Sequence, residues 1–198
     1  PRCGRPIRLA DNSSMNTTFK TVGIVGAGAM GRGIAQIAAQ AGSTVHLFDL
    51  QASAVDAARL SVFSQWDRLA EKGRLSADEA SQAKARLMAS REISELATCD
   101  LVIEAVVERL DVKKSLFAQL EDIVGADAVL ASNTSSLSVT AIAAGLKRPQ
   151  RFAGYHFFNP VPLMKVVEVI AGLKTDPAVC AALSQFSRDM GHTPVQAL

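Results

Sequence analysis

The clearest chemistry in this sequence is a glycine run followed by an acid. Gly26-Ala27-Gly28-Ala29-Met30-Gly31 matches GxGxxG, and each glycine has its own task. Gly26 permits a tight turn, Gly28 leaves room for a pyrophosphate, and Gly31 lets the next helix pack close to the preceding strand. Met30 belongs to the same phosphate-facing turn. A helix starting there aims its free N–H groups and the positive end of its dipole at the phosphates. Asp49 follows at about twenty residues, the distance at which a carboxylate accepts the ribose hydroxyls of NAD and repels the extra phosphate of NADP. Arg32, beside the turn, is the one residue that could meet such a phosphate. The glycine fingerprint alone also fits FAD, but no other flavin feature accompanies it.

A second group lies late in the chain. His156 closes an apolar run and precedes a turn, and imidazole is the side chain best able to take a proton near neutral pH. Glu168, in VVEVI, is flanked by apolar residues, where a carboxylate is costly to bury without a partner. Either residue has an ordinary alternative: a hydrogen-bonded structural histidine, and a solvated glutamate on a sheet edge. As a pair they form a base and the carboxylate that orients it and stabilises its protonated form. Ser135, in the loop SNTSS (132–136), is by type a turn or cap residue. Nothing near it in sequence could activate it as a nucleophile.

The elements that must hold these residues alternate between strand and helix. KTVGIV (20–25) reads as a strand, 30–41 as a helix stopped by Gly42, and TVHLF (44–48) as a second strand: one βαβ unit with a parallel pair. Helices follow at about 52–72 and 76–88, the second capped by the Ser76/Glu79 box. Further strands are expected at 100–106, 128–131, 152–157 and 166–170. Helices are expected at 112–124, 138–146 and 177–190, with a last strand in TPVQAL. NPVP (159–162) reads as a turn. This alternation implies an open, doubly wound, mostly parallel α/β sheet of Rossmann type.

Bulk properties exclude several classes. The 198 residues suit one domain. Of 21 basic and 19 acidic residues, Arg2, Arg5, Arg8 and Asp11 lie in the first fourteen, which leaves 18 of each sign in the rest. A basic stripe for nucleic acid is therefore not expected. Residues 1–14 lack the apolar core of a signal peptide and are expected to be a leader outside the folded unit, 15–198, that begins at Met15. Cys3, Cys99 and Cys180 show neither disulfide nor zinc spacing, so no metal is expected and a reducing cytoplasm fits. No apolar run is long enough to span a membrane.

From Lys20 to Gln196 the chain resembles the NAD-binding domain of the L-3-hydroxyacyl-CoA dehydrogenase family. The matching stretches are VGIVGAGAMGRGIAQIAAQAG (22–42), DLVIEAVVERLDVKKSLF (100–117), SNTSSLSV (132–139) and RFAGYHFFNPVPLMKVVEVI (151–170). The resemblance implies oxidation of (S)-3-hydroxyacyl-CoA to 3-oxoacyl-CoA with NAD. It makes His156 the base, Glu168 its partner, and Ser135 a hydrogen-bond donor to the substrate oxygen. Asn159, Glu108 and Lys113 fall on cofactor-contacting positions, though the residues alone would read Glu108 and Lys113 as a solvated helix start. Lys72 falls where the family places a lysine near the CoA phosphates, and Ser138, Trp66, His46 and His192 read as structural. Family members continue into an all-helical domain that supplies a further asparagine, closes over the acyl chain and forms a homodimer. The sequence ends before that domain, so the chain itself is expected to bind NAD with little turnover. Two other readings stay open: a relative acting on free 3-hydroxyacids, which would use a lysine base, and a nucleotide-binding module without catalysis.

Overall fold

The computed structural model describes residues 17–197; the leader expected at 1–14 lies outside the described residues. Among the described residues, eight strands form one sheet in the order β3-β2-β1-β4-β5-β6-β7-β8. They are β1 (Thr21–Val25), β2 (Thr44–Phe48), β3 (Leu87–Ala89), β4 (Leu101–Glu104), β5 (Val129–Ser132), β6 (Phe152–Phe157), β7 (Val166–Ile170) and β8 (Thr193–Ala197). Strands β1 to β6 are parallel, β7 turns antiparallel to β6, and β8 runs parallel to β7.

Six helices among the described residues cover the two faces: α1 (Ala29–Gln40), α2 (Ala52–Glu71), α3 (Ala77–Arg86), α4 (Leu110–Ile123), α5 (Val139–Ala143) and α6 (Pro177–Asp189). One apolar core joins α1, α2, α3 and α6 to the sheet, through Ile34, Val55, Val62, Trp66, Leu183 and Phe186 among others. The other core lies under α4 and α5, where Phe117 meets Phe152 edge to face at 4.7 Å. The central strands β1, β4 and β5 are buried on both faces, which is why their sequences run apolar without alternation. Having built β2 and β3 on one side of β1, the chain returns to lay β4 on the other. That reversal opens a crevice at the carboxyl ends of β1 and β4, where open α/β sheets bind ligands.

Most elements take the type expected from sequence; one short segment changes type and several ends shift. The helix expected over 76–88 ends at Arg86, and Leu87–Ala89 instead extends the sheet beside β2, pairing Val45 with Leu87. Leu, Met and Ala are good helix formers, so only the open edge of β2 selects the extended form. Residues 93–98 form a 3-10 turn that periodicity did not mark. The strand expected at 100–106 shortens to Leu101–Glu104: the Asp100 carboxylate accepts from the Lys20 and Thr21 N–H groups at one end, and Val106 N–H turns back to Glu104 Oε1 at the other. The helix expected at 138–146 covers only Val139–Ala143, with Ser138 as its N-cap, accepting from Ala141 N–H at 3.2 Å.

Candidate active site

The glycine turn joins β1 to α1. Gly26 has φ +107°, and a Cβ there would stand 2.5 Å from the Ala105 carbonyl oxygen, so the position excludes every side chain. A Cβ on Gly31 would overlap the Gly26 carbonyl oxygen itself. Gly28 differs: nothing lies within 4 Å of where its Cβ would be. It is the N-cap of α1, makes no side-chain cap bond, and no acidic residue occupies the first turn. An open space, free N–H groups and an unopposed helix dipole are what a pyrophosphate requires. The residues present therefore fit a dinucleotide.

The cleft beside this turn has a volume of about 730 Å³ and is lined by Gly26, Gly28, Asp49, Leu50, Ile93 and Val107, among others. Asp49 stands at the end of β2. Its Oδ2 accepts from Ala27 N–H at 2.8 Å and its Oδ1 from Gln51 N–H at 2.9 Å. These bonds fix the carboxylate at the rim, with lone pairs left for ribose hydroxyls. Met30 is half-buried against the core behind the turn. Arg32 does not face this cleft. It lines a second one, of about 390 Å³, together with Arg68, Lys72, Arg74 and Asn159. Four cations and Asn159 thus share one cavity from distant parts of the chain, while no arginine lines the cleft that holds Asp49.

His156 and Glu168 face each other across the antiparallel pair β6 and β7. His156 Nδ1 lies 2.8 Å from Glu168 Oε2, with the imidazole 17% and the carboxylate 38% exposed. Glu168 is not on a sheet edge, since β8 pairs on its other side. An N–H at Nδ1 donated to the carboxylate leaves Nε2 as the proton acceptor. The loop carrying Ser135 follows β5, and Asn133 Oδ1 accepts from Phe157 N–H at 2.9 Å, tying that loop to the histidine strand. Ser135 is exposed, and its backbone N–H donates to Glu108 Oε1 at 3.0 Å.

Of the solvated helix start that Glu108 and Lys113 suggested, Glu108 stays partly exposed while Lys113 does not. Lys113 is wholly buried, 2.6 Å from Glu104 and 3.1 Å from Glu108. Burial pushes the Glu108 carboxyl up, but the hydrogen bond from Thr134 and the Lys113 ammonium outweigh it and hold the group at about 2. Glu104 and Asn133 escaped the sequence reading. The signal available for Glu104 was a single acid inside an otherwise apolar central strand. Trp66 is fully buried, His192 is held by the Met190 and Val161 carbonyls, and His46 pairs with Ser90. Among the described residues no His, Cys, Asp or Glu cluster could hold a metal.

Residues 21–197 match the family model of the 3-hydroxyacyl-CoA dehydrogenase NAD-binding domain. The chain is 43% identical over 182 residues to 3-hydroxyadipyl-CoA dehydrogenase of Escherichia coli K12, covering 92% of this chain and 38% of that protein. It is 41% identical over 177 residues to 3-hydroxybutyryl-CoA dehydrogenase of Bradyrhizobium diazoefficiens, covering 89% and 60%. The crystal structure of (S)-3-hydroxybutyryl-CoA dehydrogenase from Ralstonia eutropha superposes with TM-score 0.87 at 43% identity, covering 90% of this chain and 63% of that one. The chain therefore spans between about two fifths and three fifths of the length of these relatives. A mostly parallel sheet, a glycine turn that fits a pyrophosphate and this extent of likeness lead to one conclusion: the chain belongs to the 3-hydroxyacyl-CoA dehydrogenase family, as its NAD-binding domain.

Proposed function

We propose that the protein carrying this domain oxidises the 3-hydroxyl of an (S)-3-hydroxyacyl-CoA, with His156 as the base. The observation that carries this reading is the in-register pair of His156 Nδ1 and Glu168 Oε2 at 2.8 Å. Glu168 fixes the ring so that Nε2 presents a lone pair, and it balances the imidazolium that forms when Nε2 takes the hydroxyl proton. Ser135 donates its hydroxyl hydrogen to the same substrate oxygen as that oxygen becomes a carbonyl. NAD, when bound, accepts the hydride released from C3.

Gly26, Gly28, Gly31 and Asp49 hold the dinucleotide, with Asp49 selecting NAD. Met30 backs the turn, and Glu108 would meet the cofactor with its exposed edge. Lys113, expected as a cofactor contact, is wholly buried and acts only by holding Glu108, while Asn159, which lines the second cleft, would reach the cofactor from that side. Lys72, with Arg32, Arg68 and Arg74, makes the second cleft a receptor for the CoA phosphates. The His156–Glu168 pair favours catalysis over a purely nucleotide-binding module, and a histidine base departs from relatives that use lysine. The free thiols of Cys99 and Cys180 suit the cytoplasm. A homodimer would form through the family's helical domain. No helix among the described residues is long and apolar enough to cross a membrane.

The test is reduction of acetoacetyl-CoA, longer 3-oxoacyl-CoAs and 3-oxoadipyl-CoA by the full-length protein, with NADH and NADPH compared. NADH should be oxidised with at least one of these thioesters and bound far more tightly than NADPH by this chain. Equal affinity for the two cofactors, or no turnover with any thioester, would refute the assignment.

A further inference from the structure

Beneath the serine loop lies a chain of buried charges that the reaction does not use directly. Glu104 ends β4 on the central crevice, with its side chain wholly buried, and pairs in register with Val25 and Ser132. Its Oε1 accepts from Lys113 Nζ at 2.6 Å and from Val106 N–H at 2.7 Å. Its Oε2 accepts from the Ser132 hydroxyl at 2.6 Å, and its backbone carbonyl accepts from Asn133 N–H at 2.8 Å. Both carboxylate oxygens are thereby engaged, with no exposure to water.

Lys113 passes this order outward. It lies in the first turn of α4, where the helix dipole disfavours a cation, and it is as buried as Glu104. An ammonium in that place is costly unless carboxylates meet it from both sides. Glu104 meets it from the strand and Glu108 Oε2 from the β4–α4 loop. With Oε2 committed, Glu108 turns Oε1 to the loop after β5. That oxygen accepts from the Thr134 hydroxyl at 2.5 Å, Ser135 N–H at 3.0 Å, and both Ser136 N–H and hydroxyl at 3.3 Å. Thr134 in turn accepts from Leu137 N–H at 3.0 Å. One carboxylate oxygen therefore gathers the Ser135 and Ser136 N–H groups and the Thr134 and Ser136 hydroxyls, while among the described residues the Ser135 hydroxyl is left unpartnered.

We propose that Glu104 is a positioning residue: by holding the Lys113 ammonium beneath Glu108, it sets the backbone of Ser135 and Ser136, and hence where the Ser135 hydroxyl meets substrate. The role assigned to the Ser135 hydroxyl rests on the dehydrogenase reading above; the network itself does not. Glu104 touches neither substrate nor cofactor. It acts through Lys113 and Glu108, the charged groups that face one another from β4, α4 and the loop between them.

The experiment reads the loop by amide resonances of this chain and the reaction by kinetics of the full-length protein. Glu104→Gln keeps the shape and leaves Lys113 paired with Glu108. Amide hydrogen exchange at Ser135 and Ser136 should quicken by about tenfold, the scale of one hydrogen bond to a charged group. Exchange at Ala27, held by Asp49 on the far side of the crevice, should not change. In the full-length protein kcat should fall on the order of 10- to 100-fold, the effect of a small misplacement near the reacting atoms. Unchanged exchange at Ser135 and Ser136 in a folded variant would overturn the proposal.

Should that variant not fold, the unmutated chain supplies a second reading. Its Ser135 and Ser136 amides should show no inflection as pH falls from 7 through the ordinary carboxylate value of 4.5, because Glu108 stays ionised. An inflection near 4.5 would mean that neither the Thr134 hydroxyl nor the Lys113 ammonium holds Glu108 in this arrangement, and would overturn the proposal. Absence of any dehydrogenase activity in the full-length protein would instead sink the reading of the reaction, and leave both amide measurements to decide the network.

Discussion

Replacing Lys113 by Met would remove the cation from a buried cluster that holds two carboxylates. Its Nζ lies 2.6 Å from Glu104, both side chains being 0% exposed, and 3.1 Å from the partly exposed Glu108. At an effective dielectric of about 20, a pair at the first distance is worth about 6 kcal/mol. The second pair is screened by water and adds less. Desolvation of the ammonium offsets a large part of this attraction, so removing one member of such a pair costs about 3–5 kcal/mol overall. The penalty falls on Glu104, left in the interior without its cation and with only the Ser132 hydroxyl and Val106 N–H as donors. For a domain of this size that loss lowers Tm by roughly 6–20 °C. Urea titration and thermal melts followed by circular dichroism would measure it. Pairing Lys113→Met with Glu104→Gln should recover much of the loss, since the double variant strands no charge. A single variant within about 1 kcal/mol of the unmutated chain, below the range for a broken buried pair, would refute this account, as would a double variant no more stable than the single one.

Three other outcomes follow from the site. Gly31→Ala must push α1 off the glycine turn, because its methyl would overlap the Gly26 carbonyl; stability should fall by about 1–3 kcal/mol and NADH affinity at least about tenfold, measured by melts and fluorescence titration. His156→Gln in the full-length protein should lower turnover by about 10²- to 10⁴-fold with NADH binding little changed; retention of most turnover would remove His156 from the mechanism. Glu108, held at about 2 against an ordinary 4.5, contributes stability that is present above 4.5 and lost as pH falls toward 2. The difference in urea midpoint between the unmutated chain and Glu108→Gln should therefore be constant near neutral pH and shrink only through that acid window.

The local sequence determined a good deal of this protein. The GxGxxG turn, the strand and helix that flank it and the acid at the end of β2 are all set by short-range spacing, because a tight turn, a helix start and a strand end each demand particular residues nearby. The alternation that implied a doubly wound sheet is of the same kind. The stretches around Ser135, His156 and Glu168 were marked by the family resemblance rather than by local spacing, and the sheet placed the last two opposite each other at hydrogen-bonding distance. Tertiary structure alone decided the remainder. Leu87–Ala89 became a strand because β2 had a free edge, which no helix propensity records. Arg32 reads in sequence as a neighbour of the phosphate turn, yet helix geometry turns it into a different cleft, with Lys72 and Asn159. Lys113 looks like a surface charge at a helix start, and only the convergence of β4, β5 and α4 buries it between Glu104 and Glu108. Charge pairing of that kind depends on which strands become neighbours, and strand order is a property of the whole chain rather than of any window within it.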